Sequence, residues 1–96
     1  MEYLKELSVN PKIKSYFESL IGLKIEDAVK KLGYWWTLSN CHVNWNTGWY
    51  DFYRAAGGRI ELQTENNIVI SENHNGMAMV YAKRDIEKEN FKTYEL

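Results

Sequence analysis

The first third of the chain spaces its apolar residues as two short amphipathic helices do. Asn10 followed by Pro11 is typical of a helix start, because Asn caps free backbone N–H groups and Pro is tolerated at the first helical position. Gly22 and Gly33 are placed to end the two helices. The opening segment "EYLKEL" fits either a helical turn or a loose strand. The apolar stripes that we expect to be buried are Ile13, Tyr16, Phe17 and Leu20 in the first helix and Ile25, Ala28, Val29 and Leu32 in the second.

After Gly33 the residue preferences change from helix to strand. The segments "GWYDFYRAA", "RIELQT" and "NIVIS" are predicted strands, because they carry β-branched and aromatic residues. We predict turns at 55–58 and 65–67, and a polar turn at "SENHNG" before "MAMVYAK". In the middle strand Ile60, Leu62 and Thr64 alternate with polar residues, which is typical of a sheet with one covered and one solvated face. The tail 84–96 fits a last helical turn, an edge strand or a frayed end.

These elements predict an α+β fold, with two short N-terminal helices packed on one face of an antiparallel β-meander of three to five strands. A length of 96 residues predicts one domain covering 1–96. The content of 45% hydrophobic and 26% charged residues is that of an ordinary globular protein. The net charge of −1 gives no electrostatic signature for nucleic acid or for an anionic membrane, so we expect neither as a partner.

The sequence offers little chemistry for catalysis or metal binding. Cys41 and His42 are adjacent, so in an extended chain their side chains point to opposite faces and do not form a nucleophile–base pair. Two His and one Cys fit no metal-ligand spacing, and we expect Cys41 to be a small buried hydrophobe. The carboxylate pairs Glu61 with Glu65 and Glu87 with Glu89 are better explained as a solvated face. We therefore expect no enzymatic activity, no cofactor and no metal.

The expected cellular location follows from what the sequence lacks. A single cysteine excludes an internal disulfide framework. The N-terminus has no apolar segment of the kind that signal peptides carry, and no apolar run is long enough for a transmembrane helix. We therefore expect a cytoplasmic protein.

The order of elements resembles that of a known group of small domains. The string "LIGLKIEDAVKKLG…WYDFYR…GGRIELQTENNIVIS" has a Gly before a short helix that ends in Leu-Gly, then a hairpin with an aromatic first strand. It resembles the SmpA/BamE-type lipoprotein domain and one repeat of the β-lactamase inhibitory protein over roughly 20–71. The chain departs from that pattern in lacking a lipobox cysteine, and the loop "WTLSNCHVNWNTG" replaces a Pro-containing turn. The resemblance implies a fold and a habit of binding proteins, and transfers no functional residue.

The stretch "GYWWTLSNCHVNWNTGWYDFYR" holds all four Trp residues of the chain. Strand alternation places Trp49, Asp51 and Tyr53 on one face and leaves Tyr50 and Phe52 as the predicted core pair. Trp35 and Trp36 are neighbours, so only one of them can face the helices, and the Asn and Gly residues around Trp45 predict a loop. Several exposed large aromatics in one segment indicate a binding face.

The charge of this stretch favours a protein as its ligand. No Lys or Arg occurs from Gly33 through Tyr53, which argues against single-stranded nucleic acid, whereas Trp and Tyr are enriched at protein interfaces. The sequence predicts a non-enzymatic bacterial inhibitor or immunity-type protein that blocks a partner enzyme or toxin. The alternatives are a small-ligand or carbohydrate-binding domain, or an assembly factor. The predicted protein-binding residues are Trp36, Trp45, Trp49, Asp51, Tyr53 and Glu61.

Overall fold

Four consecutive strands form an antiparallel meander in the order β1-β2-β3-β4. The computed structural model describes the backbone of residues 2–95 and the side chains of residues 2–88. The predicted α+β class is confirmed, with helices before the strands and packed on one face of the sheet. The elements are α1 (Glu2–Val9), α2 (Pro11–Glu18), α3 (Ile25–Leu32), β1 (Thr37–Asn44), β2 (Thr47–Arg54), β3 (Gly58–Glu65), β4 (Ile68–His74) and α4 (Gly76–Glu95), with a 3-10 turn at Ala55–Gly57 between β2 and β3.

The register of the central strands decides which side chains enter the core. Phe52 of β2 pairs with Ile60 of β3, and Tyr50 pairs with Leu62, so these residues share the face that the helices cover. Phe52, Ile60 and Leu62 are fully buried there, and Tyr50 packs partly against them. The prediction of Phe52 and Tyr50 as the core pair of β2 is therefore confirmed.

The two predicted helices form where the local signals place them. Asn10 caps α2 by accepting a hydrogen bond from the Lys12 backbone N–H at 2.9 Å. Gly33 ends α3 with φ of 85°, a conformation that favours glycine. The prediction that Gly22 ends α2 is wrong, because α2 ends at Glu18 with Ser19 as its C-cap. The opening segment, for which the sequence allowed either a helical turn or a loose strand, is helix α1.

The predicted burial of Val29 is wrong, because its side chain is exposed. Helix α3 packs against β4, at the edge of the sheet, and only Ile25, Ala28 and Leu32 are buried. A helix at a sheet edge is covered along a narrower stripe than one that lies over the middle, and Val29 falls outside that stripe.

The segment "WTLSNCHVNWNTG", which the sequence predicted to be a loop, contains strand β1. It pairs with β2 from Thr37 opposite Tyr53 to Asn44 opposite Thr47, with an irregularity between Leu38 and Asn40. Every residue of β1 is exposed, since it is an edge strand and no helix covers it. The predicted burial of Cys41 is therefore wrong, because this residue lies on that strand.

The predicted polar turn before "MAMVYAK" is also wrong, because β4 runs to His74 and α4 begins at Gly76. Asn75 lies between these two elements. Its Oδ1 accepts hydrogen bonds from the backbone N–H groups of Ala78 and Arg59, both at 3.0 Å. Its Nδ2 donates to the Gly57 carbonyl at 2.8 Å. One side chain thus caps α4 and ties it to the start of β3.

Helix α4 includes most of the tail, for which the sequence allowed a helical turn, an edge strand or a frayed end. Its buried residues Ala78, Tyr81 and Ala82 lie three and four positions apart, and they pack with the sheet in the main core. Within the part of the chain that is described, no helix is long and apolar enough to cross a membrane.

Candidate protein-binding surface

The face of the sheet that carries no helix is the candidate site, and we call it the open face. Strand alternation places Trp49, Asp51 and Tyr53 of β2 on this face, opposite Phe52 in the core. The register then adds the residues paired with these three, which are His42, Asn40 and Thr37 of β1 and Gln63, Glu61 and Arg59 of β3.

Two carboxylates lie at the centre of the open face. Asp51 and Glu61 are directly opposite each other across β2 and β3, which puts their Cβ atoms about 4.5–5.5 Å apart. Among the side chains of residues 2–88, no basic group lies within 4.0 Å of either carboxylate. Like charges facing each other across a sheet are destabilising, so this pair costs stability unless a cation approaches it.

Aromatic rings lie on both sides of the carboxylate pair along β2. Towards the β1–β2 turn, the His42 ring stacks near Trp49 with centroids 6.1 Å apart. A depression of about 260 Å³ lies there between these two residues, Gln63 and the exposed Ile70. Towards the other end, Tyr53 is 48% exposed and pairs with Arg59. A second depression of about 260 Å³ is lined by Asp51, Glu61, Arg59 and Asn73 among others.

The structure brings together four of the six predicted binding residues. Trp49, Asp51, Tyr53 and Glu61 form one continuous group on the open face, in which Tyr53 and Glu61 are exposed. Trp49, predicted to be exposed, is half-buried, as is Asp51. Trp45 lies apart from it, at the turn between β1 and β2, where it is 97% exposed. Its φ of 52° places it in the left-handed region, which is uncommon for a residue with a large side chain.

The prediction that Trp36 is exposed is wrong, because only 6% of its surface is accessible. Both residues lie in the turn before β1, and it is Trp35 that is exposed, at 57%. Trp36 packs edge-to-face on Tyr81 of α4, with ring centroids 6.1 Å apart. The sequence did not predict α4, so it gave no reason to place a partner ring over Trp36. The Trp36 Nε1 atom is buried with no acceptor among the described residues.

A second charged cluster lies on the other side of β2, beneath α4, and we call it the arginine cluster. Arg54 donates to both carboxylate oxygens of Asp85, at 2.8 Å from Nη1 and 3.3 Å from Nη2. Its Cζ lies 4.2 Å from the centroid of Tyr81, and the rings of Trp35 and Trp36 are within 6 Å. The Tyr81 hydroxyl donates to the Ala55 carbonyl. These contacts hold the end of β2 against α4.

Tyr16 of α2 is electrostatically coupled to the arginine cluster. Burial, the largest cause, and the Asp85 carboxylate together raise the pKa of Tyr16 to about 12. The Arg54 guanidinium acts on this pKa in the opposite direction. The phenol of Tyr16 therefore stays protonated at neutral pH.

His74 does not lie on a polar turn, as the sequence predicted, but pairs with Ile60 on the helix side of the sheet. Its ring stacks on Phe17 of α2, with centroids 3.8 Å apart and planes 10° from parallel. Its Nδ1 donates to the Glu72 carboxylate at 2.6 Å. Cys41 and His42, on β1, lie on opposite faces of the sheet. Among the residues described, no three or more His, Cys, Asp or Glu side chains are grouped so that they could hold a metal ion.

These observations define a small α+β domain with an antiparallel sheet that is covered by helices on one side and open on the other. Comparison with protein families, with curated proteins and with solved structures found no match. The resemblance to SmpA/BamE-type and β-lactamase inhibitory protein-like domains stays a prediction from the order of elements.

Proposed function

We propose that the protein is a non-enzymatic binding module that uses the open face to block a partner protein. The observation that carries this proposal is the group of Trp49, Asp51, Tyr53 and Glu61 on a sheet face that no helix covers. The proposed class is a bacterial inhibitor or immunity-type protein, and its partner an enzyme or a toxin.

The charge of the open face specifies what the partner must present. Asp51 and Glu61 face each other with no cation of residues 2–88 within 4.0 Å. A Lys or Arg side chain of the partner would relieve this repulsion on binding, and complementary charges also speed association. We therefore expect the partner to insert a basic residue between the two carboxylates.

The aromatic residues supply the contact area. Trp and Tyr are the residues most often found as interface hot spots, and Trp49 and Tyr53 flank the carboxylates on the same strand. Because β2 is hydrogen-bonded on both sides, by β1 and by β3, these side chains start from a fixed backbone. A preformed surface loses little conformational entropy on binding, which favours affinity.

We also propose that the protein is cytoplasmic, and the free thiol of Cys41 supports this location. It lies exposed on β1, and an exposed unpaired cysteine is best tolerated in a reducing compartment.

Site-specific photocrosslinking in the source cells tests the proposal. A benzophenone amino acid placed at Gln63, which is exposed on the open face, should capture a protein, whereas the same group at Lys30 on α3 should not. Adding Asp51→Lys and Glu61→Lys should abolish the product at Gln63. No product at Gln63, or one that survives both charge reversals, would contradict the proposal. Quenching of Trp49 fluorescence by soluble sugars, with no protein captured, would instead favour the carbohydrate-binding alternative.

A further inference from the structure

A pocket beside the arginine cluster has a lining unlike that of the open face. It is lined by Trp35, Arg54, Ala55, Tyr81, Arg84 and Lys88, and its volume is about 300 Å³. This is the lower end of the range of roughly 300–1,000 Å³ that small-molecule sites occupy. Arg54 points to the helix side of β2, so the pocket and the open face lie on opposite sides of the sheet.

Among residues 2–88, the lining of the pocket contains three cationic side chains and no acidic one. Asp85 already satisfies Arg54 through two hydrogen bonds. For Arg84 and Lys88, by contrast, no carboxylate within residues 2–88 comes closer than 4.0 Å. These two are one turn apart on α4, and like charges four residues apart on a helix repel each other. The pocket therefore has an excess of two positive charges.

The walls of the pocket are aromatic as well as basic. The Tyr81 ring has the Arg54 Cζ 4.2 Å from its centroid and the Arg84 Cζ 5.9 Å from it. Trp35 is more than half exposed although it lines the pocket, so its indole offers apolar contact area to a ligand. A ligand that suits both features has a flat ring and an anionic group next to it.

We propose that this pocket binds a small phosphomonoester that carries a flat ring, with the phosphate on Arg84 and Lys88 and the ring against Trp35. A phosphomonoester has a charge of about −1.5 to −2 at pH 7, which matches the excess of two positive charges. Arg54, fixed by Asp85 and Tyr81, lines the same pocket and adds guanidinium donors that are already oriented. This site is independent of the proposed protein-binding function.

Phenyl phosphate is the simplest probe of this chemistry, and inorganic phosphate and phenol are its matched controls. Titration of the full chain, followed by amide and indole NMR shifts, should give saturable changes at Trp35, Tyr81 and Arg84. Binding should be at least about tenfold tighter than that of either control, because the phosphate and the ring contribute together. It should weaken as salt is raised, since exposed charges are screened.

Charge-neutral variants then separate the pocket from general electrostatics. Arg84→Gln with Lys88→Gln should weaken phenyl phosphate binding about tenfold or more. The control pair Lys5→Gln with Lys12→Gln, which removes the same charge from exposed positions on α1 and α2, should change it less than about twofold. Trp35→Ala should reduce binding of phenyl phosphate but not of inorganic phosphate. Thermal melts establish that each variant is folded.

Three outcomes would overturn the proposal. The first is the absence of any saturable shift with phenyl phosphate. The second is equal binding of inorganic phosphate, which would remove the ring from the recognition. The third is an equal loss of binding in the Lys5 and Lys12 control pair, which would mean that net charge and not this pocket holds the ligand.

Discussion

Strand β2 separates two clusters of aromatic and charged side chains, one on each face of the sheet. The clusters differ in whether the charged groups are paired with a counter-charge. On the helix side, Arg54 is paired with Asp85 and stacked on Tyr81, and only 11% of its side chain is accessible. On the open face, Asp51 and Glu61 face each other between Trp49 and Tyr53, and no basic group of residues 2–88 lies within 4.0 Å of either carboxylate.

The difference between the two clusters shows how one residue pattern serves two purposes. A charged residue between aromatics is structural when a second element closes over it and supplies the counter-charge, as α4 does for Arg54. The same pattern remains available to a ligand when no element covers it. Substitutions on the two sides of β2 test this contrast.

Phe52→Ala should lower the free energy of unfolding by roughly 3–5 kcal/mol, because it empties a fully buried site on the helix side of β2. Urea unfolding measures this loss. Tyr53→Ala, the neighbouring substitution on the open face, is the matched control and should change stability by less than about 1 kcal/mol. A large loss from Tyr53→Ala with little from Phe52→Ala would mean that the two faces have been assigned the wrong way round.

Trp49→Ala should weaken partner binding by about 2 kcal/mol or more, and should lower the melting temperature less than Phe52→Ala does, because Trp49 is only half-buried. A titration with the captured partner gives the first quantity, and a thermal melt gives the second. Trp35→Ala removes an exposed indole from the other cluster and should leave the affinity for the partner unaltered. If the two variants lost the same affinity, the contrast between the clusters would fail.

The Arg54–Asp85 pair should show a coupling energy of about 1.5 kcal/mol in a double-mutant cycle that combines Arg54→Met and Asp85→Asn. The exposed pair Lys14–Glu18, with its atoms 4.0 Å apart, is the natural comparison and should give only about 0.3–0.5 kcal/mol. Equal couplings for the two pairs would show that closure by α4 adds nothing to the ion pair.

The smallest expected effect is a loss of stability in alkali that arises from Tyr16. Its folded pKa of about 12 lies above the ordinary value of 10.0, so the neutral phenol is favoured by folding. The resulting stability is fully present below pH 10 and is lost as the pH rises towards about 12. Tyr16→Phe should therefore show a smaller fall in stability between about pH 8 and pH 11 than the wild type does. Tyr53→Phe, at an exposed site, should behave like the wild type.

Much of the fold was readable from local sequence, because its signals act over a few residues. Asn10 and Pro11 start α2, Gly33 ends α3, and the alternation in β3 identifies its buried face. Strand β1 was missed since its Asn and Ser residues favour turns, and its extended form depends on pairing with β2. This information lies in the partner strand and not in the segment itself.

Helix α4 was missed although the sequence contains a signal for it. Ala78, Tyr81 and Ala82 have helical spacing, and Asn75 precedes them at a capping position. The candidate surface was likewise predictable only in part from local sequence. Alternation within β2 correctly groups Trp49 with Tyr53, whereas the choice between Trp35 and Trp36 depends on α4, which supplies Tyr81 from 45 residues further along the chain.

The side-chain amide of Asn75 fixes the N-terminal end of the long helix α4. Helix α4 rises 1.5 Å per residue, so Lys88 lies about 20 Å along the axis from the cap, and a tilt of about 10° there would displace it by about 3 Å. The hydrogen bonds of Asn75 to Ala78, Arg59 and Gly57 fix the N-terminal end of α4, and the Arg54–Asp85 pair fixes its middle. An Asp in place of Asn75 would keep the acceptor oxygen but lose the N–H donor to the Gly57 carbonyl. A Gln there would have a side chain that is one methylene longer. Asn75 therefore helps to set the position of the far end of α4 from more than three helical turns away, together with the Arg54–Asp85 pair.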